Sequence, residues 1–195
     1  MTPIGTKRLL IRNWEDRDRD LFFRINSDDQ VMAFFPFRRT RAESDAFLDR
    51  LRASIERDGF GFTALENRET GACMGFAGLH RNSVVPTLPP DTVEIGWRLA
   101  PEYWGKGYAT EAAKALLAFG FQKFALGEIV SFAVWNNGRS TAVMERIGMR
   151  RDPAGNFDHS RVPDTHPHLK RHVLYRIGHA EWQARQGSSE ARTSP

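Results

Sequence analysis

Apolar and polar positions alternate from Thr92 to Leu99. Val93, Ile95, Trp97 and Leu99 fall on one face, and Thr92, Glu94, Gly96 and Arg98 on the other. That period of two predicts a strand. Pro101, which has no N–H to give to a neighbouring strand, ends it. Further on, Ala113, Leu116, Leu117, Gly120, Phe121 and Phe124 recur at i, i+3, i+4, i+7, i+8 and i+11. This is the apolar stripe of an amphipathic helix, and Thr110 is its predicted cap.

The same reading places elements along the rest of the chain. A strand is expected over about 6–12 and a helix over about 16–26. A loop carrying Phe34, Phe35, Pro36 and Phe37 leads to a helix at about 41–57, which faces the core with Phe47, Leu48, Leu51 and Ile55. Thr40 and Glu43 form its capping box. Strands at about 60–66 and 72–79 flank Glu69-Thr70-Gly71, a hairpin signal. A polar, proline-rich connection occupies 81–91. After the long helix come a strand at about 128–134, a helix opened by Asn137, a strand near 149–152, a loop, and a last strand at about 171–177. One sheet with helices around it makes the fold α/β or α+β.

Between the central strand and the long helix lies Trp104-Gly105-Lys106-Gly107-Tyr108. Glycine lets backbone amides approach an anion with no Cβ in the way. A helix N-terminus adds unpaired N–H groups and partial positive charge. The arrangement suits a pyrophosphate, although an ordinary tight strand–turn–helix connection would use glycine as well.

Composition narrows the setting. A chain of 195 residues with 41% hydrophobic content suits one domain with a full core. No apolar run reaches the ~18 residues of a membrane span, and residues 1–20 lack the apolar core of a secretory leader. The single cysteine, Cys73, fits a reducing cytoplasm and lies in a predicted strand, as a buried structural thiol would. A net charge of +4 favours an anionic ligand but is too small to argue for nucleic acid. His159, His166, His168 and His172 have no zinc spacing and no cysteine partners, so no metal is expected; a solvated or substrate-facing loop is.

These motifs resemble those of the GNAT superfamily of acetyl-CoA-dependent N-acetyltransferases, most of all its ribosomal-protein N-terminal branch. Leu99-Ala100-Pro101 matches the strand end, and Trp104 to Ala109 matches the Arg/Gln-x-x-Gly-x-Gly/Ala motif, with Trp104 standing where Arg or Gln is usual. Asn137, Ser140 and Gly148-Met149 match a second motif of Asn-x-x-Ser/Ala followed by Gly-Phe. Lys7 to Arg12 followed by Asp16 to Asn26 resembles the strand-then-helix opening of the branch. The likeness covers roughly residues 6–178. It implies one GNAT-like domain over 1–180, with a mixed, mostly antiparallel sheet flanked by helices; residues 181–195 are expected to be a disordered tail.

The resemblance also implies acetyl-CoA as co-substrate and direct attack by an amine in a ternary complex. Trp97, Leu99, Trp104, Gly105, Lys106, Gly107, Tyr108, Ala109, Thr110 and Asn137 are the expected cofactor-binding residues. The Leu99 N–H is the carried-over oxyanion donor. Glu94, projecting upstream of the glycine turn, is the leading general base, with His80 a weaker candidate. Many relatives place a Tyr acid at the position of Met144, which cannot donate, so Ser140 is the expected acid here. Phe34, Phe35, His159 and His168 are the expected acceptor contacts.

The acceptor itself is read as a primary amine. A weak base favours an α-amine, with a pKa near ~8, over a lysine near ~10.4, and so points to a protein N-terminus. A small-molecule amine such as a metabolite, polyamine or antibiotic is a second reading, and a non-catalytic acyl-CoA sensor a third, supported by Met144. A monomer or a homodimer fits equally.

Overall fold

A computed structural model describes residues 1–81, 84, 85, 87–89 and 91–190. One eight-stranded sheet runs through them in the order β1-β2-β3-β4-β5-β6-β8-β7. The strands are β1 (Ile4–Gly5), β2 (Leu9–Arg12), β3 (Phe62–Asn67), β4 (Cys73–Arg81), β5 (Val93–Leu99), β6 (Glu128–Val134), β7 (Arg150–Asp158) and β8 (Arg171–Gly178). All neighbours are antiparallel except β5 and β6. The helices are α1 (Arg19–Ser27), α2 (Arg41–Asp58), α3 (Tyr108–Lys123), α4 (Gly138–Arg146) and α5 (His179–Glu190).

The period-two face of β5 chooses its layer. Val93, Ile95 and Leu99 are buried with Ala112, Ala113, Leu116, Leu117 and Phe121 of α3, together with apolar residues of α4 and α5. The other face of the sheet, through Ala64 and Phe76, packs on Phe22 and Ile25 of α1 and Leu48, Leu51 and Ile55 of α2. Arg98 shares that second face, since its guanidinium lies over the Phe76 ring at 5.2 Å.

The parallel pair β5/β6 positions the site. It is joined in register only at Val93↔Ile129 and Glu94↔Val130, with the Ser131 hydroxyl donating to the Ile95 carbonyl at 2.8 Å just beyond. From there to Leu99 the β6-side edge of β5 has no ladder partner, and the sheet opens.

Several elements differ from the sequence reading. The strand expected over 6–12 shortens to β2 at Leu9–Arg12, and a further short strand, β1 at Ile4–Gly5, precedes a break over residues 6–8. Glu111 on α3 draws the break inward: its carboxylate accepts from the Thr6 hydroxyl at 2.7 Å, the Arg8 N–H at 2.8 Å and Arg8 Nε at 2.6 Å. The helix expected at 16–26 begins with a 3₁₀ turn at Asp16–Asp18. Thr110 does not cap α3; Gly107, at φ 80°, is its N-cap, and Thr110 lies in the first turn. The strand near 149–152 extends to Asp158 through a bulge between Asp152 and Phe157.

The tail expected from residue 181 is helical to Glu190. Trp182 of α5 buries against Phe121, with ring centroids 5.3 Å apart, and Glu181 pairs with Arg150 at 2.5 Å. Residues 191–195 lie outside the described residues. The Thr40–Glu43 capping box is present at the start of α2. Among the described residues no helix is long and apolar enough to cross a membrane.

Candidate active site

Where β5 and β6 part, a cavity of about 1490 Å³ runs from the N-terminus of α3 to the α1/α2 side of the sheet. Its α3 end is built from backbone. Gly105 and Gly107 both have left-handed φ, 71° and 80°, and a Cβ at Gly105 would meet nothing within 4 Å. The first N–H bonded inside α3 is that of Glu111, to the Gly107 carbonyl at 3.0 Å, and no side chain caps the helix. The amides of Tyr108, Ala109 and Thr110 therefore remain available, and these three residues line the cavity. Open amides at a helix start, with Lys114 and Arg139 also on the wall, suit a pyrophosphate.

Trp104 closes this end from the strand side. Its indole N–H donates to the Leu99 carbonyl at 2.8 Å, and the Arg139 guanidinium lies over its ring at 4.3 Å. The Ala100 N–H donates to Met74 on β4. Successive amides of a strand point to opposite edges, so the Leu99 N–H points toward the opening.

Asn137 caps α4 by accepting from the Ser140 N–H at 3.2 Å, which leaves its amide NH₂ for a ligand. Thr141 commits its hydroxyl to the Gly138 carbonyl at 3.3 Å. No such back-bond holds the Ser140 hydroxyl among the described residues, and Ser140 is on the cavity wall. Met144 is buried beside it.

On the other face Glu94 sits opposite His80 in the β4/β5 register. Its Oε1 is 3.7 Å from His80 Nδ1, while Oε2 is buried with no hydrogen-bond partner among the described residues. Burial raises its carboxyl to about 7, and the charge of Arg161 pulls the other way. His80 stacks on Phe62 with centroids 5.4 Å apart, and burial lowers its pKa. Both effects favour its neutral form.

Most of the residues expected from the sequence come together here. Glu94, Trp97, Leu99, Trp104, Gly105, Gly107, Tyr108, Ala109, Thr110, Asn137, Ser140, Phe34, Phe35 and His159 all line the one cavity. Two do not. Lys106 is off the wall, and its carbonyl accepts from Arg8 at 2.9 Å. His168 is exposed in a 3₁₀ turn, its ring 6.1 Å from that of His166. His172 takes the expected place. It packs 4.9 Å from His159 and 5.5 Å from Phe157, and both His172 and His159 line the cavity. Burial, with His172 and Arg161 nearby, pushes His159 down to about 4, so it is neutral at ordinary pH. Arg39, read from the sequence only as part of a basic cluster with Arg38 and Arg41 flanking a helix start, and Arg98 also face the cavity. Cys73 is off it, and burial pushes its thiol up to about 12, as an inert structural cysteine requires.

Comparison with known proteins agrees with this geometry. Residues 8–150 match the family model of the acetyltransferase (GNAT) domain. The N-acetyltransferase YnaD of Bacillus subtilis is 34% identical over 152 residues, which cover 76% of this chain and 83% of YnaD. The FsC-acetyl coenzyme A-N(2)-transacetylase of Aspergillus fumigatus is 26% identical over 201 residues, covering 97% of this chain and 82% of that protein. The crystal structure of a GNAT-family acetyltransferase from Bacillus anthracis superposes with a TM-score of 0.76 at 28% identity, covering 92% of this chain and 99% of the other.

Proposed function

The chain belongs to the GNAT acetyltransferase family, and from that premise we propose that it moves the acetyl group of acetyl-CoA directly onto a primary amine seated beside Glu94. The observation that carries this reading is the Glu94 carboxylate. One of its oxygens is buried with no hydrogen-bond partner among the described residues, on a cavity that continues to the open amides of α3.

The residues present fit acetyl-CoA. The amides of Tyr108, Ala109 and Thr110 would hold the pyrophosphate, with Trp97, Trp104 and the Asn137 side chain along the path to the opening. Bound acetyl-CoA would supply the thioester that the amine attacks, the carbon–sulfur bond breaking as the amide bond forms.

The remaining work falls to this chain. The Leu99 N–H, aimed into the opening, stabilises negative charge developing on the carbonyl oxygen. Glu94 takes the proton that the amine loses, directly or through one water, and its pKa near 7 suits a base working at neutral pH. The Ser140 hydroxyl donates a hydrogen bond to the departing sulfur, which leaves as a thiolate and takes its proton from solvent. A base of this strength favours an acceptor already partly neutral, such as an α-amine near ~8, over a lysine near ~10.4.

Thiol release from acetyl-CoA, measured against a panel of α-amines, lysine derivatives and polyamines, tests the reading. Release with α-amines supports it. Binding of acetyl-CoA with no release for any amine would make the protein a sensor, and a failure to bind acetyl-CoA would remove the premise.

A further inference from the structure

Resting on the acetyltransferase reading, we propose that the acceptor is a small amine carrying its own acid group, and that Arg98 and Arg39 hold that group. Arg98 extends from β5 on the face away from α3 and lines the cavity. Its Nη1 donates to Asn26 Oδ1 at 2.5 Å. The rest of the guanidinium rests on aromatic rings, 4.3 Å from the Phe35 centroid and 5.2 Å from Phe76. Among the described residues no carboxylate pairs with it. This sets it apart from Arg8, Arg12, Arg19, Arg24 and Arg176, each of which has an acidic partner within 3.0 Å.

Arg39 repeats the pattern. It lines the same cavity, lies over Phe37 at 5.0 Å and Phe47 at 4.5 Å, and its Nε is buried with no hydrogen-bond partner among the described residues. Asn26 ties the two together: its side chain accepts from Arg98, and its carbonyl accepts from the Arg39 N–H at 3.0 Å. Asn26 is itself fully buried and anchored by its amide to the Phe22 carbonyl at 2.7 Å. The pair is therefore fixed, not a chance meeting of surface side chains.

Among the described residues neither cation has a carboxylate in ion-pair contact, only the charge of Glu43 acting on Arg39, and cations held so in a cavity are costly to maintain. Burial depresses both guanidinium groups, Arg98 to about 9. A ligand anion would remove that cost, and a guanidinium fork matches a carboxylate or phosphate with two parallel hydrogen bonds. The anion in question is not the pyrophosphate of coenzyme A, whose amide cradle lies at α3 on the opposite face of the sheet. Nor does the wall offer a cationic acceptor much. Its acidic residues are Glu94 and Glu111, and Glu111 is spent on Thr6 and Arg8. A polyamine would meet like charge.

Glu94 and Arg98 are four residues apart on one face of β5, roughly 13 Å at the strand rise of about 3.3 Å per residue. Both residues line the one cavity, and one small molecule would present its amine pole to the first and its acid pole to the second. The aromatic rings of Phe34, Phe35 and Phe37 at this end would cover its apolar body.

The test is thiol release from acetyl-CoA with matched acceptors: glycine against glycinamide, phenylalanine against phenylalaninamide, and phosphoethanolamine against ethanolamine. The amide carries the less basic amine of its pair, so intrinsic reactivity works against the expected result. We expect at least one acid-bearing member to exceed its neutral partner about tenfold in kcat/KM. The carboxylate and phosphate pairs then identify the acid. In Arg98→Met and Arg39→Met that ratio should fall toward one, whereas a purely structural role would lower both members together. Neutral members equal or better in the wild-type protein would overturn the inference while leaving the acetyltransferase intact. No release with any amine would instead overturn the acetyltransferase reading, and this inference with it.

Discussion

The Trp104 indole N–H donates to the Leu99 carbonyl at 2.8 Å, across the turn that carries β5 into the glycine loop. That bond occupies the carbonyl of the same residue whose N–H is proposed to face the reacting carbonyl. N–H and C=O of a strand residue point to the same edge, so an unengaged Leu99 carbonyl would place a negative dipole beside the developing oxyanion. Tryptophan thus does a local job that neither Arg nor Gln would do in the same way, and it supports the cradle by holding the turn against the strand.

Trp104→Phe keeps a ring for Arg139 and removes the N–H. A neutral hydrogen bond is worth about 1 kcal/mol net, so kcat should fall roughly fivefold with acetyl-CoA affinity changed less. Steady-state kinetics at saturating acceptor, with calorimetry for acetyl-CoA, separate the two. An unchanged kcat would mean that the bond has no part in aligning Leu99.

Glu94 makes the pH profile informative. Burial holds its folded-state pKa at about 7. Below that pH the carboxyl is protonated and cannot accept the amine proton, so kcat/KM should rise through about pH 7. A second rise belongs to the acceptor amine, near ~8 if it is an α-amine. Glu94→Gln should lower kcat/KM by about 100-fold, within the range of a lost general base. It should also erase the lower limb while keeping the upper one. Persistence of both limbs in the variant would assign the lower one elsewhere.

What the sequence discloses follows from how local each feature is. Gly105 and Gly107 were legible because a glycine turn is a property of a few adjacent residues, whereas the uncapped helix start was not, since the sequence points to Thr110 as its cap. The apolar face of α3 was legible because it repeats within one helix. Arg98 and Arg39 were not. Their meaning depends on Asn26 from α1, the Phe35–Phe37 loop and β5 converging in space. His168 and His172 stand four positions apart in one histidine-rich stretch, and only the β8 register turns one of them to the cavity.

The same limit hid α5, whose polar composition conceals one anchor. Trp182 is 7% exposed and packs on Phe121 of α3 and on His179. Trp182→Ala should destabilise the protein by about 3 kcal/mol, the lower end for emptying a buried aromatic site. Urea unfolding with an unchanged m-value would show it. A loss under about 1 kcal/mol would mean that α5 contributes little to the fold.

The last prediction concerns Arg12 and Asp18, an ion pair buried away from the cavity. The guanidinium meets the carboxylate twice, at 2.7 and 2.9 Å, and also donates to Glu66 at 2.8 Å. The two side chains are 6% and 1% exposed. Burial alone would raise the Asp18 pKa. The bonds from Arg12 and from the Glu15 N–H outweigh it, so the folded-state value lies below the ordinary one. A carboxyl depressed on folding adds stability that is fully present above its unfolded pKa of about 3.9 and is lost as pH falls through the lower folded value. Asp18→Asn strands the Arg12 charge, and breaking a buried pair costs about 3–5 kcal/mol. The variant should therefore be less stable than wild type by about 3 kcal/mol at pH 7, and the gap should narrow only in acid, below about pH 4. Urea denaturation of both proteins at a series of pH values measures the gap directly. A gap that is already closed at neutral pH would show that Glu66, Glu15 and the Asn13 carbonyl hold Arg12 without Asp18.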